Sequence, residues 1–486
     1  LASCIALLEW DELTCMPRSG AELRANQVAL LTGMHHAKAT DPLIGDLLSE
    51  LECSNLVRDQ LAPAAINVRE IRRDYDRLKR LPRLLVEELA RITSLAQQEW
   101  EAARRHADYS RFRPWLEKIV ALKCQEADAV GYDTIAYDAL LDDYEPGARS
   151  EAIALLFDAL ERELVPLVQA LTSTRRQADV AILHREFPLD RQRILGETVA
   201  AALGFDFQKG RLDTTVHPFC SAIAPGDCRI TTRYKLYNFS DGFFGILHEV
   251  GHGLYEQGLD PDQHGTPMGE PPSLGLHESQ ARLWENTVGR SRPFWKHFFP
   301  LARAIFPAAL NDVRLDDFHF VVNHVERSVI RAAADEITYN LHVVVRFDLE
   351  RALLAGDLQT ADLPQAWNEA YQKYLGITPS NDAEGCLQDG HWAAGLIGYF
   401  PTYTLGNIFA AQLFARATQD LGDQSVSFAR GNFDSLLGWL RQKIFCRGQR
   451  FPAAQLIEYA TGSLPDHRPF LQGLKRKYGE LYGIDR

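Results

Sequence analysis

The chain has no apolar run approaching about 18 residues, so no transmembrane helix is expected. Basic charge is also short: 52 Lys and Arg stand against 65 Asp and Glu, a formal net charge of −13. Nucleic acids and anionic membranes need basic surface, so neither is expected as a partner. No CxxC pair occurs among the eight cysteines at 4, 15, 53, 124, 220, 228, 386 and 446. Scattered cysteines in a chain this long suit free thiols in a reducing compartment, and the cytoplasm is the expected location. Low-complexity segments, repeat periods and long Pro/Ser-rich linkers are missing too, which argues against a string of modules. The first residue is not Met. The opening LASC has the letters of a bacterial lipoprotein processing site, but no charged or apolar leader precedes it. The following IALLEWDELTCMP reads as a helix running into a turn, so the start is read as missing, with a lipidated Cys4 as the alternative.

What is present is an ordinary globular composition, 46% hydrophobic and 24% charged, able to bury a sizeable core. Helical periodicity dominates. Apolar residues at spacings of three and four predict helices over 21–56, 65–107 and 148–174, and around 191–204, 241–258, 276–290, 313–355, 362–375, 404–420 and 430–445. The charged stretch REIRRDYDRLKRLPRLLVEELARI reads as a solvated helical face. Residues 212–236, rich in Thr, Val, Ile and aromatics around APGD, predict a hairpin or three-stranded sheet. The expected fold is mainly α: one large helical domain, two-lobed about a cleft, with a small sheet beside a histidine-bearing helix. Within it, 1–210 forms the N-terminal helical part, 211–420 the metal site and groove lining, and 421–486 the C-terminal helices.

The stretch 245-GILHEVGHGLYEQG-258 carries two histidines four residues apart, with a glutamate after the first. On a helix, i and i+4 lie one turn apart and about 40° round, so His248 and His252 can aim at one point. Glu249 projects beside that point rather than on it. With a third protein ligand and an open fourth position this becomes a catalytic zinc site, with Glu249 accepting a proton from activated water. H-E-x-x-H arises by chance in roughly a few per cent of such chains, so the motif alone is only suggestive. Its setting adds weight: FFGIL before and GLY after make the helix apolar, and two buried neighbouring imidazoles need partners that a metal supplies. His35 and His36 are adjacent, point apart and read as ordinary residues. A third histidine ligand from the extended motif is excluded, because Tyr255 and Gly258 stand where its glycine and histidine belong. The segment 277-HESQARLWEN-286 has helical spacing and offers Glu278 or Glu285 as third ligand, or alternatively His277.

Taken in order, HPF at 217–219, DCRIT at 227–231, HEVGH at 248–252, HESQ at 277–280, IRAAAD at 330–335 and GCLQDGHW at 385–392 resemble the carboxypeptidase Taq family of metallocarboxypeptidases. LLEWDELTCMPRSGAELRANQ and GYFPTYTLGN extend the resemblance to nearly the whole chain. Departures are small: Ala281 stands where a serine is usual, and Pro271 and Pro272 precede HESQ. The resemblance implies His248, His252 and Glu278 as ligands of one zinc ion per chain, with cobalt or another divalent ion as alternatives. It implies Glu249 as base and proton donor, and a supporting role for Glu285. It further implies a zinc-oligopeptidase-like fold with a deep groove, release of single C-terminal residues with broad specificity, poor action after proline, and a homodimer.

A carboxypeptidase needs a cation for the substrate carboxylate. Arg331, Asp335, Thr338 and His342 recur at helical spacing in 327-RSVIRAAADEITYNLHVVVRF-347, a polar stripe read as a buried seam because apolar residues cover the other faces. The family's matching block points to Arg331 for the carboxylate, with Arg229 of DCRIT second; an arginine fork pairs with both oxygens. The run HWAAGLIGYFPTY is similar to that of related zinc oligopeptidases, which carry a histidine and an oxyanion-stabilising tyrosine at such a separation. His391 and Tyr403 are therefore assigned to the developing charge, with Tyr399 as alternate. The competing readings are an oligopeptidase or peptidyl-dipeptidase of the same zinc chemistry, and a catalytically inactive helical peptide-binding scaffold. Presence of both histidines, Glu249 and Glu278 speaks against the last.

Overall fold

A computed structural model describes residues 1–484. Helix boundaries follow local chemistry. The helical run at 21–56 divides into Ala21–Ala39 and Pro42–Glu52, where the Asp41 carboxylate accepts the Leu43 N–H at 3.0 Å and Pro42 takes the first turn. The run at 65–107 divides into Pro63–Arg80 and Arg83–His106, because Pro82 lacks an N–H and pushes Leu81 into extended geometry. A further helix, Tyr109–Val130, lies outside the ranges that periodicity predicts. Among the described residues, no helix is long and apolar enough to cross a membrane.

The expected small sheet is present. Strands β1 (Gly210–Thr214), β2 (Cys220–Ala224) and β3 (Asp227–Thr232) lie in the order β1-β3-β2, with β1 parallel and β2 antiparallel to β3. Gly226, at φ +85°, allows the tight reversal between β2 and β3. Six residues beyond β3, the Asn238 side chain accepts the Asp241 N–H at 3.0 Å and starts the histidine helix, Phe239–Glu256. Ser273 does the same for the glutamate helix, Leu274–Arg282, accepting the Leu276 N–H at 3.0 Å. That helix widens into a π-helical turn over Leu283–Val288, a form concentrated at functional sites.

Two glycines let three helices close on one another. A Cβ on Gly251 of the histidine helix would lie 2.5 Å from the Cα of Ala281 and from the Gln280 carbonyl oxygen. A Cβ on Gly406, in the tyrosine helix Pro401–Leu421, would lie 2.6 Å from the Glu278 Cγ. The glutamate helix is therefore held between two side-chain-free contacts. Around it one apolar core extends from Ile92 to Tyr482, and a smaller cluster joins Leu48, Val68 and Tyr75 near the N-terminus.

The helix expected over 313–355 is interrupted. It forms as Leu315–Val321 and then as Thr338–Ala355, with Arg331–Ala333 in a 3-10 turn between them. The cause is Asp335: its carboxylate accepts the N–H groups of Ile337 (2.9 Å) and Thr338 (3.1 Å) and the Thr338 hydroxyl (2.6 Å), opening the second helix there. Arg331, Asp335, Thr338 and His342 thus share no helical stripe. Arg331, Thr338 and His342 are nevertheless buried.

Gly251 and Gly245 provide a matched pair in one helix. Alanine favours a helix by about 1 kcal/mol over glycine, and a Cβ on Gly245 meets only the Thr232 hydroxyl, at 3.5 Å. Gly245→Ala should leave Tm unchanged or raise it, whereas Gly251→Ala should cost about 1–3 kcal/mol through overpacking. Thermal unfolding by circular dichroism checks the opposite signs.

Candidate functional site

The histidine and glutamate helices bring three donor atoms together. The Nε2 atoms of His248 and His252 each lie 3.5 Å from the same Glu278 carboxylate oxygen, Oε2. All three ligand atoms fall within 4.8 Å of one another, and the residues are buried or nearly so. Donors sharing a tetrahedral ion at about 2.1 Å stand about 3.4 Å apart, so the two His–Glu separations are those of ligands around one cation. Two imidazoles and one carboxylate are also the donor set of a catalytic rather than a closed structural site. The residues fit a divalent metal.

Surrounding groups fix each ligand. His248 donates through Nδ1 to Glu285 Oε2 at 3.0 Å, which turns Nε2 toward Glu278. Arg282 donates from Nε to Glu278 Oε1 at 2.6 Å and from Nη1 to Glu285 Oε2 at 3.2 Å, so one guanidinium ties both carboxylates. The π-helical turn carries Glu285 into reach of His248. His277 is turned away: its Nε2 meets Glu256 Oε1 at 2.8 Å, and its ring stacks on His252 with centroids 4.3 Å apart. Of the three residues open as third ligand, Glu278 brings one oxygen to both histidines, Glu285 meets His248 Nδ1 and His277 packs on His252.

Charge follows from these contacts. Burial opposes ionisation of Glu278, but Arg282 and the two imidazoles outweigh it and hold the carboxyl well below its usual range. Burial likewise opposes the charge on His248, yet Glu278 and Glu285 raise it to about 9. Burial, reinforced by His277, takes His252 down to about 3. Glu249 has no guanidinium against it: burial outweighs the opposing pull of His248 and pushes it up to about 7, and its Oε2 is buried without a hydrogen-bond partner.

The tyrosine helix closes the site from the other side. Gly406 touches Glu278, and Tyr403, three residues earlier on that helix, shares a 3.1 Å hydrogen bond with His391 Nε2. Tyr399 packs edge-on to Tyr403 at 5.3 Å and tilted to His391 at 5.4 Å. Burial drives the Tyr403 hydroxyl well above its ordinary value and Tyr399 up to about 12, so both stay protonated at neutral pH. Burial lowers His391 to about 4, leaving it neutral.

Arg331 joins this cluster. Its guanidinium lies 5.0 Å from the Tyr403 ring, donates from Nε (3.1 Å) and Nη2 (2.8 Å) to Asp389 Oδ1, and from Nη1 to the Tyr339 hydroxyl (2.9 Å). Arg282 lies over that same Tyr339 ring at 4.4 Å, linking Glu278 to Arg331 through one aromatic group. Arg229 is placed elsewhere: on β3 it forks to both Asp227 oxygens at 2.8 Å and lies over Trp10 at 4.2 Å. Sequence reasoning missed Arg282, Tyr339 and Asp389. Arg282 had a signal, four residues after Glu278 on one helix face; Asp389 lies inside GCLQDGHW, but nothing in its spacing points to Arg331.

The chain matches the carboxypeptidase Taq (M32) metallopeptidase family over residues 1–478. It is 48% identical over 493 residues to a thermostable carboxypeptidase 1 of Thermus thermophilus, covering 99% of this chain and 96% of that one. Its backbone superposes on the M32 carboxypeptidase of Deinococcus radiodurans with a TM-score of 0.96, at 41% identity and covering 99% of this chain and 97% of that chain. Metallocarboxypeptidase 1 of Trypanosoma cruzi gives 0.90 at 33% identity, over 98% and 96% of the two chains. With sequence and backbone in agreement from end to end, the chain belongs to the carboxypeptidase Taq family of metallopeptidases.

Proposed function

We propose that this metal-dependent carboxypeptidase releases single residues from the C-terminus of peptides, using one zinc ion per chain held by His248, His252 and Glu278. The observation that carries the reading is the convergence of both Nε2 atoms on one Glu278 oxygen. Nitrogen and carboxylate donors in a three-ligand set suit zinc, and cobalt or another divalent ion suits the same atoms. When bound, the cation supplies Lewis acidity and acidifies solvent.

The chain's own groups do the rest. Glu249 Oε2, buried and unpartnered, takes a proton from the attacking water and returns it to the departing amine nitrogen. Tyr403, kept protonated by burial, donates its hydroxyl to the carbonyl oxygen as negative charge develops there, while His391 steadies it and Tyr399 packs alongside. Arg331 binds the substrate's terminal carboxylate with its remaining N–H groups. We assign that task to Arg331 over Arg229, because Arg331 lies 5.0 Å from the Tyr403 ring whereas Arg229 lies on β3 over Trp10.

The chain also offers a surface for a second copy, and we assign a homodimer to it. Helix Ala21–Ala39 buries none of its residues, and Leu23, Leu30 and Met34 are 66%, 65% and 45% exposed. A helix that leaves such residues in water gains by covering them.

Digestion of an N-blocked peptide, read by mass, tests the activity. Stepwise loss of one C-terminal residue, stopped by chelator, is expected; dipeptide release would support the peptidyl-dipeptidase reading instead. In the same assay Arg331→Gln should erase the preference for a free carboxylate over a C-terminal amide, a loss of about 10–100-fold on the acid substrate. Glu249→Gln should cut kcat by about 10²–10⁴-fold while metal content by elemental analysis stays at one per chain; a variant with normal turnover would remove Glu249 as base. Light scattering should give twice the chain mass, falling to the monomer in Leu23→Asp/Leu30→Asp.

A further inference from the structure

Residues 376–400, which carry His391 and Tyr399, contain no helix or strand. A long irregular segment is seldom rigid by itself, since nothing in its backbone repeats a hydrogen-bond pattern. Much of this one is nonetheless buried, so something outside it must hold its polar groups. Helix Thr338–Ala355 supplies the anchors from two successive turns. Arg346 Nε donates to Asp389 Oδ2 at 2.7 Å. One turn later, the Glu350 carboxylate accepts Trp392 Nε1 on Oε1 at 2.8 Å and the Gly398 N–H on Oε2 at 3.0 Å. A third donor comes from outside the loop, the Tyr137 hydroxyl, 2.8 Å from Oε2.

Glu350 is 1% exposed. An isolated carboxylate there would be costly, and burial pushes its carboxyl up to about 7 although all three donors oppose the rise. The two loop donors are not arbitrary positions. Trp392 follows His391, and Gly398 precedes Tyr399. Gly398 itself sits at φ +93°, where a Cβ would come within 3.0 Å of the Leu140 carbonyl carbon, so the segment is pressed between Glu350 and the helix Ala136–Leu141. The two oxygens of one side chain therefore fasten both ends of the turn that separates two site residues.

We infer that Glu350 is a positioning residue for the reaction: its carboxylate ties Trp392 to Gly398 and so sets the placement of His391 and Tyr399 around Tyr403. This rests on the assignment of those three side chains to the reacting groups. Misplacing such groups by about 1 Å costs on the order of 100-fold in rate, so a clamp remote from the metal can matter to turnover.

Four variants of the metal-loaded enzyme test it, with kcat, Tm and metal content measured for each. Glu350→Gln keeps the shape but replaces one acceptor oxygen with a donor, and should lower kcat at least about tenfold with metal content unchanged. Trp392→Phe and Tyr137→Phe each delete one hydrogen bond to the same carboxylate, the first from the loop and the second from outside it. Trp392→Phe should lower kcat beyond what its loss of Tm accounts for, while Tyr137→Phe should lower Tm and leave kcat within about twofold. A merely structural carboxylate would make the two equal. Equal kcat losses in that pair, or wild-type kcat in Glu350→Gln, overturn the inference; the pair decides the matter even if Glu350→Gln fails to fold. Tyr403→Phe separates the two levels: full kcat there withdraws the role of the loop itself, whereas a low kcat beside an unaffected Glu350→Gln removes only the clamp.

Discussion

A carboxylate taken out of water has to be matched group by group, and Glu278 is matched on both oxygens. Oε2 faces two imidazole nitrogens at 3.5 Å, and Oε1 receives the Arg282 guanidinium at 2.6 Å. The match continues outward in alternating sign: Arg282 also holds Glu285, Arg290 approaches Glu285 at 3.6 Å, and Arg331 and Arg346 share Asp389. Buried ion pairs roughly break even against well-packed apolar groups, so this network is weak evidence for stability. Its effect is placement, because moving any member exposes an unmatched charge in a low-dielectric interior. The donor geometry at the metal site depends on that constraint.

Backbone proximity makes the network possible. Glu278 reaches the two histidines because Gly251 and Gly406 let the helices on either side approach to contact distances that any side chain would forbid. The glycine at 251 thus has a packing reason distinct from its place between the two histidines of the motif. The π-helical turn after Arg282 contributes in a different way, altering the rotation of the chain so that Glu285 can meet His248 Nδ1 while Glu278 meets Nε2. Two carboxylates from one continuous helical segment hold the two nitrogens of one ring.

How much of this could be read from residues alone varied with the range of the interaction. The placement of His248, Glu249 and His252 follows from helical rotation within five residues, and the caps and prolines that end helices are equally local. The third ligand was open among Glu278, Glu285 and His277, because the choice turns on how a second helix packs and where it widens; the family resemblance, not periodicity, singled out Glu278. Arg331 was expected on a helical stripe with Asp335, and Asp335 is the residue that breaks the stripe by capping the backbone ahead of it. Periodicity counts side chains and does not register a carboxylate that prefers main-chain partners. Asp389 and Glu350 left no usable trace, being single acids whose partners lie 58 and 43 positions away for Asp389, and 213, 42 and 48 away for Glu350.

Glu249 and Glu278 show how one site shifts the same side chain in two opposed directions. Both are buried, and for both burial is the largest influence and acts against the charged form. Glu278 has Arg282 in direct contact and stays ionised, the form in which a carboxylate can bind a cation. Glu249 has no arginine, keeps an oxygen without a partner, and rises to about 7, where a carboxyl can both take and return a proton near neutral pH. A positive ion at the histidines would draw that value down again, so it is set by the balance between enclosure and nearby positive charge. Enclosure also keeps Tyr403 protonated and His391 uncharged. One physical cause, exclusion of water between three closely packed helices and an anchored loop, therefore acts on the charge of all these groups, and the arginines decide which carboxylate stays ionised.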